Sequence, residues 1–257
     1  KNQRVYSFIE GPSNQFARAA AMSVAENPGA SQYNPLVIYG GVGLGKTHLL
    51  QAIGNKVLQR LPRPRVHYTT SEKFTLDFIT AIQNNNSAPF TERHRKVDVL
   101  LVDDIQFLQK KEQTQEQFFH TFNDLYQRGK QVVLTTDRHP SELYGLKDRL
   151  LSRFKSGLIV DVQAPNLETR IAILQKKAED DSLEIPYEII EFIATNIRTN
   201  IREMEGALIK LLAYSSLSHS DITMSLAKRA LRETLGRPGT KTVSIEDVIQ
   251  SVSEAMD

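Results

Sequence analysis

Gly40-Gly41-Val42-Gly43-Leu44-Gly45-Lys46-Thr47 fits G-x-x-x-x-G-K-[ST], the pattern of a phosphate-binding loop. Its flanks decide the fold. Pro35-Leu36-Val37-Ile38-Tyr39 reads as a buried strand entering the loop, and His48-Leu49-Leu50-Gln51-Ala52-Ile53-Gly54 as a helix leaving it. Glycines let backbone N–H groups turn inward around phosphate oxygens, and the helix N-terminus adds about half a positive charge. Lys46 can then reach terminal phosphates while the Thr47 hydroxyl is suited to Mg²⁺.

Outward from the loop, short β-branched runs alternate with amphipathic stretches. Strands are expected at 36–39, 65–69, 97–102, 131–135 and 158–162, with helices between them. That alternation predicts an α/β fold: a five-stranded parallel sheet flanked by helices. A helix is expected over 71–84, capped by Ser71. Another is expected to open on the capping box Thr114-Gln115-Glu116-Gln117 and to stop at Gly129. After Pro165 the strands cease, and stretches 166–180, 186–196, 201–216 and 221–235 read as helices. Residues 1–164 are therefore expected to form the nucleotide-binding core and 165–241 a small helical lid. A last helix, capped by Ser244, is expected over 242–257.

Composition narrows the possibilities. The 257 residues carry a net charge of +2, too mild to argue for nucleic acid unaided. Cysteine is absent, which excludes a disulfide framework and thiolate metal sites. No apolar run approaches the ~20 residues of a membrane span, and no signal peptide is visible. The chain starts at Lys1 rather than Met, which suggests an excised piece.

Four further patterns carry chemistry. Val99-Leu100-Leu101-Val102-Asp103-Asp104 is an apolar strand ending in two carboxylates. Asp103 suits Mg²⁺, and Asp104 suits orienting or deprotonating a water, or else capping a helix. Val132-Val133-Leu134-Thr135-Thr136-Asp137 brings a polar tip to a neighbouring central strand, where Asp137 either senses phosphate or caps the Arg138-His139-Pro140 turn. Arg149 and Arg153 stand at i and i+4 on one helix face, to meet either phosphate or solvent. Asn200 and Glu203 form a capping pair that leaves Arg202 in the first turn of a helix, free for a phosphate or paired with a neighbouring glutamate.

Taken in order, these patterns resemble the AAA+ ATPases. The wording of 33–48, 102–107, 118–123, 137–140 and 148–154 resembles the bacterial DnaA replication initiators across essentially the whole chain. The resemblance implies binding of ATP/ADP with Mg²⁺. Gly41, Val42, Gly43, Leu44, Gly45, Lys46, Thr47 and His48 would hold the phosphates, with Ile9 and Asn14 along the adenine and Arg202 reaching in from the lid. Thr47 and Asp103 would meet the metal. Asp104 would be the hydrolytic carboxylate where most AAA+ proteins carry the longer Glu, so a weak, slow ATPase is expected; Asp137 would be a sensor. Arg153 would be an arginine finger serving the next subunit's nucleotide, with Arg149 as its helper.

The same resemblance implies head-to-tail assembly into a helical filament on origin DNA, duplex opening, and hydrolysis as the off-switch. Single-stranded DNA would meet Ile79, Arg95, Lys111, Gln113 and Thr114, although Gln113 stands where many relatives carry Arg, and Ile79 also reads as a core residue of an amphipathic helix. The last helix would lead to a DNA-binding domain. Expected partners are the replicative helicase machinery and acidic phospholipids, in a bacterial cytoplasm. The alternative is a related AAA+ regulator or helicase loader.

Overall fold

The computed structural model of the chain describes residues 8–29, 32–198, 200–218 and 220–232. These fall into two compact units, one running through Ile173 and the other starting at Leu174.

The first unit is built on five parallel strands: β1 Leu36–Tyr39, β2 Val66–Thr70, β3 Val99–Asp103, β4 Gln131–Thr136 and β5 Leu158–Asp161, in the spatial order β2-β3-β4-β1-β5. Side chains alternate across the sheet with period two. Leu36, Ile38, Val99, Leu101 and Val133 pack on one face with α1 (Gln15–Glu26) and α2 (Lys46–Arg60). Val37, Leu100, Val102, Val132 and Leu134 face the other way. There they meet phenylalanines of α3 (Ser71–Gln83), α4 (Ala88–Arg95), α5 (Glu112–Gln127) and α6 (Asp148–Lys155). Phe74, Phe118, Phe122 and Phe154 are fully buried in that second layer. A sheet covered on both faces explains why the central strands read as continuous apolar runs.

The expected strands are all present, shifted by at most two residues at their ends. Three expected helix starts are not. The helix expected from 221 begins at Met224, where the Thr223 hydroxyl accepts from the Leu226 N–H at 3.3 Å. Thr70, not Ser71, caps α3: its hydroxyl accepts from the Lys73 N–H at 3.1 Å. α5 begins at Glu112, so Thr114 lies inside the helix and Thr114-Gln115-Glu116-Gln117 is no capping box. The helix is already under way at that point, since the Gln115 N–H donates to the Lys111 carbonyl at 2.9 Å, and the Gln115 side chain acts outside the helix. Its buried amide donates to the carbonyls of Leu108 (2.9 Å) and Gly145 (2.8 Å) and accepts from the Lys147 N–H (2.9 Å). One side chain thereby ties the start of α5 to the residue that precedes α6.

The second unit contains α8 (Tyr187–Asn196), α9 (Ile201–Ser218) and α10 (Met224–Ala230), which pack on one another; α7 (Leu167–Asp180) runs across the division between the units. The core of the second unit includes Ile189, Ile193, Met204, Leu208, Leu211, Leu226 and Leu231. The helix expected over 242–257 lies outside the described residues.

Candidate nucleotide and nucleic-acid site

β1 ends at Tyr39, and the chain turns through Gly40–Gly45 into α2. Gly43 (φ +75°) and Gly45 (φ +96°) occupy left-handed backbone that a side chain would strain. A Cβ on Gly45 would also stand 3.0 Å from the Phe8 ring, so the loop rests on Phe8. Phe8 makes an edge contact with the His48 ring as well, with centroids 5.5 Å apart. Nearby, the buried Asn14 amide braces the 9–14 segment. Its oxygen accepts from the Gly11 N–H (3.0 Å), and its nitrogen donates to the Ile9 carbonyl (2.9 Å). Ile9 and Asn14 thus belong to one tied turn, contiguous in the chain with the Phe8 that supports the loop.

Lys46 opens α2 and is only 7 % exposed. Its Nζ donates to the Gly40 and Gly41 carbonyls at 2.8 Å each, which holds the ammonium over the loop. Val42 is exposed, while Gly43 and Leu44 are buried and Thr47 is half-buried.

Across the sheet, β4 lies between β1 and β3. This brings the carboxylates of β3 beside the tip of β4. Asp103 is 3 % exposed. Its carboxylate accepts from the Thr135 hydroxyl and, at 3.1 Å, from the Tyr68 hydroxyl. Burial and the charge of Asp103 push the Tyr68 phenol up to about 12, so Tyr68 remains a donor at neutral pH. The same Thr135 oxygen accepts from the Asp104 N–H at 2.9 Å. One hydroxyl therefore fixes both acidic residues.

Asp104 adopts left-handed backbone (φ +58°), which ends the strand. Aspartate tolerates this conformation better than most residues, yet it still costs about 1 kcal/mol or more. The Ser71 hydroxyl donates to the Asp104 carbonyl at 2.6 Å, and the Gln106 amide donates to its carboxylate at 2.9 Å. The hydroxyl expected to cap α3 instead helps hold the hydrolytic candidate. Ser71→Ala is expected to lower stability by about 1 kcal/mol, the cost of losing a hydrogen bond made by a buried hydroxyl to a half-buried carbonyl. Urea unfolding checks this, and an unchanged midpoint would remove Ser71 from the support of Asp104.

Asp137 follows β4 directly. Arg138 grips both its oxygens (Nε to Oδ1, 2.9 Å; Nη2 to Oδ2, 2.7 Å), and this pairing, aided by the Lys46 ammonium, holds its carboxyl below the usual range. The turn that follows is capped by His139, whose ring accepts from the Ser141 N–H, not by Asp137.

Arg149 and Arg153 share one face of α6 and lie against α5. Arg149 pairs with Glu116 and sits 4.6 Å over the Phe119 ring; Lys147 binds the same glutamate at 3.2 Å. Arg153 lies 5.9 Å from the Tyr126 ring centre. Arg202 belongs to the second unit. Asn200 and Glu203 form the expected reciprocal cap (2.8 and 3.0 Å), and Arg202 is exposed with no ion pair among the described residues.

Of the nucleic-acid candidates, Ile79 is 43 % exposed on α3, in line with the exposed Leu76 and Ile82, so it is no core residue. Gln113 is exposed and Lys111 half-buried at the start of α5, whereas Thr114 is only 5 % exposed. Arg95 is half-buried at the end of α4, and its carbonyl accepts from Arg128. The supporting bonds of Tyr68, Ser71, Thr135, Gln106, Arg138, Glu116 and Tyr126 are not legible in the sequence, where Ser71 stands as a helix cap, Glu116 in a capping box and Arg138 in a turn. Only Thr135 carried a local signal, as the polar interruption in an apolar strand.

The model of the bacterial DnaA ATPase domain matches residues 1–161. Domain III of the Thermotoga maritima replication initiation protein DnaA is 45 % identical, covering 92 % of this chain and 98 % of that one, with a TM-score of 0.88. AMPPCP-bound DnaA from Aquifex aeolicus is 37 % identical (96 % and 77 % covered, TM-score 0.77). A replication initiator DnaA bound to AMPPCP and single-stranded DNA is 30 % identical (98 % and 92 % covered, TM-score 0.73). A parallel sheet carrying a phosphate loop, with paired carboxylates two strands away and matches of this extent, makes the chain a member of the bacterial DnaA family, of which it spans the AAA+ ATPase domain.

Proposed function

We propose that the chain is the ATP-switched assembly module of a replication initiator. In this reading ATP joins neighbouring subunits head to tail into a helical filament that engages origin DNA, including single strands, and promotes duplex opening. Slow hydrolysis by Asp104 dissolves the assembly. The observation that supports it best is the contrast between two halves of one chemistry. The phosphate loop, Asp103, Asp104 and Asp137 converge around the β1–β4–β3 tips, while Arg149 and Arg153 stand together on α6. Arginines placed to serve a neighbour's phosphate make a subunit incomplete alone, and a head-to-tail contact that does not close builds a helix.

Within the site, the loop N–H groups, Lys46 and the start of α2 would hold the phosphates. Ile9 and Asn14 would lie along the adenine, and Arg202 would act from the helical lid spanning 165–241. Mg²⁺ fits the donors present: the Thr47 hydroxyl and the buried Asp103 carboxylate are hard oxygens. Among the described residues no group of three or more His, Cys, Asp or Glu could hold an ion unaided, so nucleotide phosphates and water would complete its shell. When bound, the ion neutralises charge on the terminal phosphates. Asp137 would sense the terminal phosphate.

The exposed apolar row Leu76, Ile79 and Ile82 on α3, with Arg95, Lys111 and Gln113, would offer sugar and phosphate contacts. Buried Thr114 would support that surface through its helix. Connection through 242–257 to a DNA-binding domain, the helicase machinery, acidic phospholipids and a bacterial cytoplasm complete the reading. No described helix is long and apolar enough to cross a membrane.

Sedimentation tests it. The protein is expected to remain small with ADP, to assemble with a non-hydrolysable ATP analogue, and to assemble further with analogue plus single-stranded oligonucleotide. Equal sedimentation under all three conditions would overturn the ATP-switched assembly.

A further inference from the structure

A carboxylate is an awkward neighbour for a triphosphate, because like charges at short range repel. In the proposed nucleotide site Asp137 takes that position, because it follows β4 beside the phosphate loop. It follows Thr136, which is in register with Tyr39, the residue immediately before the loop. The Lys46 ammonium, which belongs to the loop, acts on the Asp137 charge. Arg138 meets that charge in the planar two-point geometry that guanidinium and carboxylate favour, with bonds of 2.9 and 2.7 Å. The pair joins adjacent residues and the arginine is half exposed, so it contributes little to holding the fold. Its consequence therefore falls on what approaches Asp137.

We propose that Arg138 is a positioning residue of the nucleotide site: it fixes the Asp137 carboxylate and cancels its charge, so that Asp137 can stand beside a terminal phosphate without repelling it. The proposal rests on the nucleotide-site reading above. It assigns Arg138 a part in discriminating ATP from ADP, because the terminal phosphate is the group that would meet an uncompensated Asp137. A planar fork suits this role better than an ammonium, since it engages both oxygens at once.

The test is a double-mutant cycle read by equilibrium binding of ADP and of a non-hydrolysable ATP analogue. Arg138→Ala is expected to weaken the analogue about fivefold to tenfold, the size of one partly screened charge pair, and to change ADP less than about twofold. In the Asp137→Asn background, the same replacement is expected to leave both affinities unchanged within about twofold, because no charge remains to cancel. Arg138→Lys is expected to recover part of the selectivity, which a merely structural loss would not do. Thermal unfolding of each variant confirms that folded proteins are compared. An equal loss for both nucleotides would overturn the proposal. So would a loss that persists in the Asp137→Asn background, since Arg138 would then be gripping phosphate itself. Wild-type protein that binds neither nucleotide would overturn the nucleotide-site reading with it.

Discussion

Lys46→Ala is expected to weaken both ATP and ADP by about 10²–10³-fold while leaving the fold intact. The ammonium is held over the loop by the Gly40 and Gly41 carbonyls, both at 2.8 Å, and is nearly excluded from solvent. Such a group contributes through charge-assisted hydrogen bonds of about 1.5–3 kcal/mol each, and phosphate oxygens would take the place of carbonyls. A total of about 3–4 kcal/mol corresponds to the stated loss. The carbonyls left behind border an exposed stretch at Gly41 and Val42, where water can reach them, so stability without nucleotide should change by less than about 1 kcal/mol. Thermal unfolding makes the contrast visible. Nucleotide at about a hundred times the wild-type Kd stabilises the wild type by about 2.7 kcal/mol, and a variant weakened about a hundredfold by only about 0.4 kcal/mol. A variant that retained the full nucleotide-dependent shift would remove Lys46 from the phosphates.

The Lys46 loop is readable because everything that defines it is contiguous: strand, turn and helix occupy 36–60. The five strands are readable for a related reason, since burial on both faces makes them apolar runs whose limits are set by adjacent polar residues. What supports the loop and the carboxylates is not readable. Ser71 and Asp104 are 33 residues apart, Thr135 and Asp103 32, and Tyr68 and Asp103 35. Nothing local distinguishes a serine that caps a helix from one that donates to a distant carbonyl. Ser71 reads as a cap because it opens α3, yet Thr70 one residue earlier performs that role. Thr114 shows the same limit from the other side: it fits a local box pattern, yet the helix has already begun at Glu112.

Arg153→Ala is the complementary case, a large effect on assembly with little on binding. Arg153 lies on α6 and its guanidinium faces the Tyr126 ring of α5. Nucleotide affinity of a single subunit is expected to stay within about twofold, because in the proposed site the loop and Lys46 would meet the phosphates. A finger supplied to a neighbour contributes roughly 10³–10⁵ in rate in small GTPases, on the order of 4–7 kcal/mol of barrier. In a protein that uses ATP to join subunits, the same contact would also hold the assembly. Sedimentation with a non-hydrolysable ATP analogue should therefore show the variant as a monomer where the wild type assembles. Arg149→Ala should give a smaller loss, because Arg149 is already committed to Glu116 and Phe119 and must share its charge with them. Mixing separates the finger from a folding defect. A subunit carrying Arg153→Ala still offers a complete phosphate loop, so it should join one end of a wild-type assembly and stop growth there. Capping of wild-type filaments at substoichiometric amounts is the expected result. Normal filaments of the pure variant would show that α6 does not serve a neighbour's nucleotide.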